Sequence, residues 1–350
     1  MNSVQQIKYF TGAIIISLLI SIFFLWLIDA PLVDTAKLLV EGAFGTNQRI
    51  GDTFMIWVPL LLASASLVVT FSAGLWNIGV EGQIVAGAVA ASFIAREVQG
   101  STAVVLTLMV VGGFVGGALW GLLVGVLRVK GGVNEIFGGI GLNFVATGLI
   151  VYLVIGPWSR DGVASTGGTE PFRDQAWFPT IDGLRASPLA LAIAFLALIS
   201  VMFLLSKTNF GLRLRATGKN SLAANRFGIA TSRYLLMAFI IGGGIAGLAG
   251  VTQAGAVYHR LVPSISGGYG FLAILIVLLA RFRGFWVIPI ALFFATIAMA
   301  SFQWQLRLGL HSALGGVIQG VLVLSVVLVM GYQEVRRHRE QITTRDETAP

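Results

Sequence analysis

The stretch GLWNIGVEGQIVAGAVAASFIA, residues 74–95, places one carboxylate and two amides directly before a strongly apolar segment. These polar side chains belong to Asn77, Glu81 and Gln83, and glycines stand among them. Another apolar run precedes the stretch, so a helix that simply crosses hydrocarbon has little reason to carry a carboxylate here. The stretch therefore predicts an interrupted helix inside a membrane.

Composition supports a membrane location for the whole chain. Of 350 residues, 56% are hydrophobic and only 11% are charged, far from the balance of a soluble domain. Apolar runs of about 17 to 25 residues recur, each long enough to cross ~30 Å of hydrocarbon as a helix. The ten predicted spans are 10–27, 54–71, 79–95, 103–127, 136–155, 189–205, 234–257, 262–280, 286–302 and 312–330. We predict one all-α transmembrane domain over 1–331 and a basic tail at 332–350.

The distribution of positive charge predicts the orientation. With the N-terminus inside, the cytoplasmic segments hold fifteen of the 23 Lys and Arg residues, as the positive-inside rule expects. Both termini are then cytoplasmic, 206–233 is a cytoplasmic segment and 156–188 is an external loop. The net charge of +8 is explained by the positive residues of the cytoplasmic segments, which contact anionic lipid headgroups. It does not indicate nucleic-acid binding. The absence of cysteine excludes disulfides and thiolate metal sites.

Two of the predicted spans are defective as simple helices. The third begins with NIGVEGQ, and the eighth begins with VPSISGGYG, residues 262–270. Irregular backbone at membrane depth requires protein or a wet cavity around it. The two interruptions occupy the same position in two halves of five spans, and five spans per half makes the halves inverted. Paired interruptions of this kind indicate the substrate path of a transporter.

Small residues recur at intervals of four in the fourth and seventh spans. Such ladders let two helices approach closely, and we predict tight internal packing more than a subunit seam. The glycines concerned are Gly113, Gly117, Gly121 and Gly125 in the fourth span, and Gly243 and Gly247 in the seventh.

Glu81 and Glu135 are the only acidic residues in or immediately beside a predicted span. One interpretation is structural. Asn77 and Asn134 cap the two helices, and the glutamates lie in the first turns, where the helix dipole stabilises a negative charge. The other is that the glutamates line or gate a path. Both interpretations stay open.

So few fixed charges favour a neutral, hydrogen-bonding solute. A proton or sodium relay normally needs several ionisable groups, so an ion-coupled transporter or channel is the weaker alternative. Amides and aromatic faces near the interruptions are the candidate contacts along the path. They are Trp76, Asn77, Gln83, Asn143, Phe144, Gln253, Tyr269 and Phe271, together with Glu81.

The segment KTNFGLRLRATGKNSLAANRFGIATSR, residues 207–233, carries six basic residues and no acidic one. Asn220 or Ser221 is placed to cap a short helix, and Gly228 to end it. The segment is either an ordinary positive inside loop or a docking helix for a soluble partner. The chain has no Walker A, HExxH or GxSxG motif, so we predict neither ATP hydrolysis nor another enzymatic activity. We predict no metal site.

Together these segments resemble the permease subunits of bacterial ABC importers in the branched-chain amino acid, ribose and nucleoside superfamily. The nucleoside and simple-sugar branch is the nearest. The resemblance is carried by residues 74–95, by VNEI with LNF after it at 133–144, by 211–229, and by GGGIAGLAG at 242–250. It covers about residues 54–282.

The resemblance implies a second permease subunit, identical or homologous, and an external solute-binding lipoprotein. It also implies cytoplasmic ATPases that bind ATP and Mg, with no cofactor in this chain, in the cytoplasmic membrane of a bacterial cell. Residues 211–229 become the coupling helix, which transmits ATPase motion through Arg213, Arg215, Gly218, Asn220, Leu222, Ala223, Ala224 and Arg226.

The sequence departs from the branch pattern at three places that bear on the solute. GGIG replaces bulkier residues at 138–141, Leu272 stands where an acidic residue is common, and Ala280 with Arg281 replaces a usual glycine. The implied solute is a nucleoside, followed by a simple sugar or a flavin-like molecule.

Overall fold

The computed structural model describes residues 3–160, 167–311 and 313–347, and this part of the chain is helical with no β-strand. The predicted all-α class is confirmed for these residues. The helices are α1 Ser3–Leu27, α2 Leu32–Phe44, α3 Asn47–Ser72, α4 Val80–Glu97, α5 Thr102–Val129, α6 Glu135–Ile155, α7 Pro188–Lys207, α8 Asn209–Lys219, α9 Ser221–Arg226, α10 Thr231–Thr252, α11 Tyr269–Leu279, α12 Gly284–Leu308 and α13 Ala313–Glu347. A π-helical turn, Gln253–Tyr258, continues α10.

Six helices in the described ranges are long and apolar enough to cross a membrane: α3, α5, α6, α7, α12 and α10 with its π turn. The helical stretches Ile15–Leu27 and Leu32–Phe44 pass the same test together, but they are bent by 116° at the break between them. The chain is therefore a polytopic membrane protein. Part of the predicted external loop, residues 161–166, and the last three residues of the predicted tail lie outside the described residues.

Two compact units divide the chain, Met1–Gly45 with Thr296–Pro350, and Thr46–Ala295. The first unit has a small core of Leu38, Ala300 and Trp304. The Trp304 indole Nε1 donates to the carbonyl oxygen of Thr35 at 3.0 Å, which ties α2 to α12. The second unit contains both predicted interruptions and the basic segment.

The small-residue ladders lie between α5 and α10 in the second unit. A Cβ added at Gly117 would overlap the carbonyl oxygen of Gly243, and one at Gly247 would overlap that of Gly113. A Cβ at Gly121 would overlap the carbonyl oxygen of Phe239 on α10. The two backbones are therefore in direct contact, and any side chain larger than hydrogen would separate them.

The third and eighth predicted spans differ from each other in the structure. Residues 73–79 are irregular, but α4 then runs without a break for 18 residues. The second interruption occupies residues 259–268, and only 11 residues of α11 follow it. At 1.5 Å per residue α11 is about 17 Å long, roughly half of a hydrocarbon core. The eighth span is thus the less complete of the two as a membrane-crossing helix.

Candidate functional site at the two interruptions

A reciprocal amide pair holds the first interruption against α4. Asn77 Nδ2 donates to Gln83 Oε1 at 2.9 Å, and Gln83 Nε2 donates to Asn77 Oδ1 at 3.1 Å. Both side chains are completely buried. Asn77 therefore does not cap α4, whose N-cap is Gly79 with no side-chain bond. The predicted cap at Asn77 is wrong because its amide is engaged by Gln83.

The cap of α4 comes from another helix. Asn143 on α6 accepts a hydrogen bond from the Gly82 backbone N–H at 2.8 Å, and its Nδ2 donates to the Ile78 carbonyl oxygen at 3.0 Å. Gly82 is the third residue of α4, where a free N–H needs an acceptor. One side chain of α6 thus satisfies both the irregular segment and the helix that follows it.

Glu81 caps the second interrupted helix. Its Oε1 accepts from the backbone N–H groups of Gly270 at 2.7 Å and Phe271 at 3.1 Å, which are the second and third residues of α11. The Ser266 side chain also hydrogen-bonds Glu81. The carboxylate is 6% exposed. A negative charge at this place stabilises the positive end of the α11 dipole as well as that of α4, its own helix.

The two helix N-termini touch beside this carboxylate. A Cβ added at Gly270 would lie 2.7 Å from Val80 Cγ1 and 3.1 Å from the Glu81 backbone nitrogen. Only glycine allows α11 to begin so close to α4. The interruptions that the sequence places in two halves of the chain therefore meet at one point, with Glu81 between them.

Glu135 supports the first interruption from the start of α6. Its Oε2 lies 2.9 Å from Arg128 Nε on α5, and its Oε1 accepts from the Trp76 backbone N–H at 3.4 Å. Asn134 caps α6 through the Ile136 N–H at 2.8 Å, as the structural interpretation predicts. Arg128 was missed as a site residue because it directly follows a predicted span and has the appearance of an ordinary positive-inside charge.

Replacing Asn134 by Ala should lower the stability of the protein by about 1 kcal/mol, because the first turn of α6 loses its side-chain acceptor. Thermal unfolding in detergent measures the change. Asn209→Ala is the matched control, since Asn209 begins α8 but Thr208 provides the cap there. Equal shifts in the two variants would contradict the capping role.

The aromatic candidates differ in exposure. Phe144, on α6 next to Asn143, is 74% exposed, and Trp76 and Phe271 are about half exposed. Tyr269 is partly buried. Phe71 at the end of α3 contacts the Trp76 ring, with centroids 5.2 Å apart. The predicted amides thus support the interruption, whereas Trp76, Phe144 and Phe271 are exposed.

The loop between α6 and α7, which the sequence predicts to be external, covers the π turn and the start of the second interruption. The backbone N–H groups of Thr169, Phe172 and Phe178 donate to the carbonyls of Leu261, His259 and Gly255, at 2.9, 2.7 and 3.0 Å. The Trp177 ring stacks on His259 with centroids 4.2 Å apart. Gln253 begins the π turn and is buried. The loop is therefore fastened to the element that leads into α11.

The basic segment forms two helices, α8 and α9. Asn220 is the N-cap of α9, and its Oδ1 accepts from the Ala223 N–H at 2.9 Å. Gly228 has a φ of +80° and ends the helix: its N–H donates to Asn225 O, and the Ile229 N–H donates to Ala224 O. This is the Schellman arrangement that favours glycine. The predicted short helix and its ending are confirmed, and Asn220 rather than Ser221 is the cap.

The predicted coupling residues divide by exposure. Leu222 is 80% exposed on α9, while Ala224 is buried and Ala223 lies between these extremes. Arg215 and Arg226 are exposed. Arg213 is also exposed, but its Nη1 donates to the Tyr234 hydroxyl at 3.4 Å.

Gly218 joins α8 directly to the first interruption. A Cβ at Gly218 would overlap the Ser72 carbonyl oxygen and lie 2.8 Å from the Ala73 carbonyl carbon. Gly74 has a φ of +75°, and a Cβ there would lie 2.9 Å from the Gly218 carbonyl oxygen. The end of α8 therefore packs backbone to backbone against the residues where α3 ends.

Comparison with known protein families identifies the family to which this chain belongs. The model of the family described as "Branched-chain amino acid transport system / permease component" matches residues 50–327. The chain belongs to this family. The match confirms the resemblance over residues 54–282 and extends it on both sides. The protein is an ABC transporter permease.

Curated relatives of the permease carry several solute names. The chain is 32% identical over 305 residues to the glucose ABC transporter permease protein TsgB13 of Haloferax volcanii, covering 84% of this chain and 80% of the relative. It is 26% identical over 296 residues to the guanosine ABC transporter permease protein NupP of Bacillus subtilis, covering 82% and 83%. It is 27% identical over 275 residues to the nucleoside ABC transporter permease protein NupB of Lactococcus lactis, covering 76% and 74%.

Proposed function

We propose that this permease imports a nucleoside, and that ATP hydrolysis by separate cytoplasmic subunits drives alternating access at the two interruptions. The chain itself contributes no catalytic group and needs no cofactor. ATP and Mg bind to the ATPases. A second permease, identical or homologous, completes the membrane part, and an external lipoprotein delivers the solute.

The same proposal includes ten spans in the cytoplasmic membrane of a bacterial cell, with both termini on the cytoplasmic side. Each of the ten apolar runs falls on a helix of its own, with α11 as the short one. The two interruptions precede α4 and α11, and Glu81 joins them. This contact supports two inverted halves whose broken helices meet at a shared site.

A nucleoside suits this site because the exposed groups around it are aromatic. Trp76 and Phe271 offer flat faces to a base, while the neighbouring amides are already engaged with protein. Several relatives are named for nucleosides or guanosine. A simple sugar is the second candidate, favoured by the 32% identity to the permease named for glucose.

The observation that carries the mechanism is the contact between Gly218 and the end of α3. The segment proposed to meet the ATPases is thereby in backbone contact with the first interruption. That interruption is bonded to α4, and α4 is bonded through Glu81 to α11. A displacement of α8 has a continuous packed route to both broken helices.

The docking part of the proposal rests on α9. Leu222 on this short helix and Phe227 directly after it are 80% and 87% exposed, and basic residues surround them in the sequence. Leu222→Ser with Phe227→Ser should weaken binding of the partner ATPase by about a hundredfold, because two large apolar side chains lose their burial in the interface. Co-purification from co-expressing cells measures this binding. Asn225→Ser on the same helix is the control, and equal binding by the double variant and the control would remove α9 from the interface.

Transport by reconstituted vesicles tests the function as a whole. The permease, its ATPase partner and its lipoprotein are placed in proteoliposomes, and uptake of labelled guanosine is compared with uptake of labelled glucose. We expect guanosine uptake that requires hydrolysable ATP and persists with a protonophore or sodium ionophore. Glucose uptake under the same conditions would select the second candidate. Uptake without the ATPase that collapses with an ionophore would overturn the importer assignment in favour of an ion-coupled transporter.

A further inference from the structure

A cavity of about 360 Å³ lies between α8 and the start of α10, apart from the two interruptions. Its lining includes Phe210, Arg213, Ile229, Arg233, Tyr234 and Met237. The Phe210 and Tyr234 rings pack with centroids 5.3 Å apart, and Arg213 Nη1 donates to the Tyr234 hydroxyl at 3.4 Å. Phe210, Arg213 and Tyr234 are therefore in contact with one another before any ligand binds.

The charge of the cavity favours a phosphate. Two guanidinium groups line it, and none of the described residues that line it is acidic. Residues 207–233 contain no acidic residue at all. Guanidinium groups bind phosphate through paired N–H donors, and a tyrosine hydroxyl supplies one more donor. Arg233 also stands in the first turn of α10, whose dipole adds positive potential.

The place of the cavity favours a lipid as the source of that phosphate. It lies where α10, a membrane-crossing helix, begins, and beside α8, which follows the end of α7. Headgroup phosphates are concentrated at the depth where spans leave the hydrocarbon, and Arg and Tyr are enriched there. Phe210, Ile229 and Met237 give the cavity an apolar wall for the glycerol and upper acyl region.

We propose that this cavity binds the phosphodiester headgroup of one anionic phospholipid, between Arg213 and Arg233. The site is independent of the solute path and of the direction in which the chain crosses the membrane. It gives Arg213 a ligand in the membrane and fastens α8 to the bilayer surface next to Gly218.

Native mass spectrometry of the full chain in detergent, titrated with phosphatidylglycerol, tests the proposal. Arg213→Gln with Arg233→Gln should weaken retention of one bound phosphatidylglycerol by at least about tenfold. The control, Lys207→Gln with Arg283→Gln, removes the same charge from exposed positions outside the cavity. Unchanged thermal unfolding of both double variants shows that the fold is intact.

Three outcomes would overturn the lipid site. Equal loss of lipid in the two double variants would assign the binding to diffuse charge. Equally tight binding of phosphatidylcholine would remove the need for an anionic headgroup. Displacement of the lipid by inorganic phosphate at an equal concentration would assign the cavity to the free ion and leave the apolar wall without a role.

Discussion

Glu81→Ala should abolish uptake and lower the free energy of unfolding by about 2 to 5 kcal/mol. The substitution leaves the buried Gly270 N–H without its acceptor, at about 1 to 3 kcal/mol, and the part-buried Phe271 N–H without its acceptor at a smaller cost. It also removes the negative charge from two helix N-termini that touch. Helix α11 has only 11 residues, and its N-cap Gly268 makes no side-chain hydrogen bond. We therefore expect the second interruption to lose its conformation before the rest of the protein unfolds.

Glu81→Gln separates the charge from the hydrogen bonds. The amide oxygen still accepts from both N–H groups, so we expect the variant to fold and to transport about tenfold more slowly, equivalent to ~1.4 kcal/mol on the barrier. Thermal unfolding and vesicle uptake are measured on the same preparations. Glu97→Gln, an exposed glutamate at the other end of α4, is the control and should change neither. Unchanged uptake by Glu81→Gln together with reduced stability would restrict Glu81 to capping.

The sequence predicts the two interruptions well, because glycines and polar residues clustered inside apolar runs are typical of broken membrane helices. It does not predict what Glu81 binds. The acceptor and its nearer donor are 189 residues apart in the chain, and no local spacing connects a carboxylate on one helix with free N–H groups on another. Asn77 is predicted as the cap of α4 on the assumption that a cap is close in sequence to its helix. The cap instead comes from Asn143 on α6.

Helix α2 and the π turn were missed for different reasons. Helix α2 is shorter than a span, yet Thr35, Leu38 and Gly42 lie along one buried face at helical spacing, so a search for shorter amphipathic helices would find it. The π turn has no such signal. There the Gly255 carbonyl accepts from the Phe178 N–H of the loop between α6 and α7, and that contact is set by tertiary packing.

The backbone junction at Gly218 should be required for coupling. Gly218→Ala introduces a Cβ that overlaps the Ser72 carbonyl oxygen and crowds Ala73 and Gly74, so the end of α8 must move away from α3. Rigid backbone on the α3 side offers no flexible side chain to give way. We expect ATP-driven uptake to fall more than about tenfold, while the ATPase partner stays bound and hydrolyses ATP.

The ratio of solute imported to ATP hydrolysed is the decisive measurement, because a merely unstable permease loses both activities together. Gly148→Ala is the matched control: Gly148 is in α6, a Cβ there meets nothing within 4 Å, and the ratio should stay at the wild-type value. Gly74→Ala should resemble Gly218→Ala, since its φ of +75° and its contact with Gly218 both exclude a side chain. A wild-type ratio in Gly218→Ala, with α8 intact, would mean that ATPase motion reaches the interruptions by a route other than the end of α3.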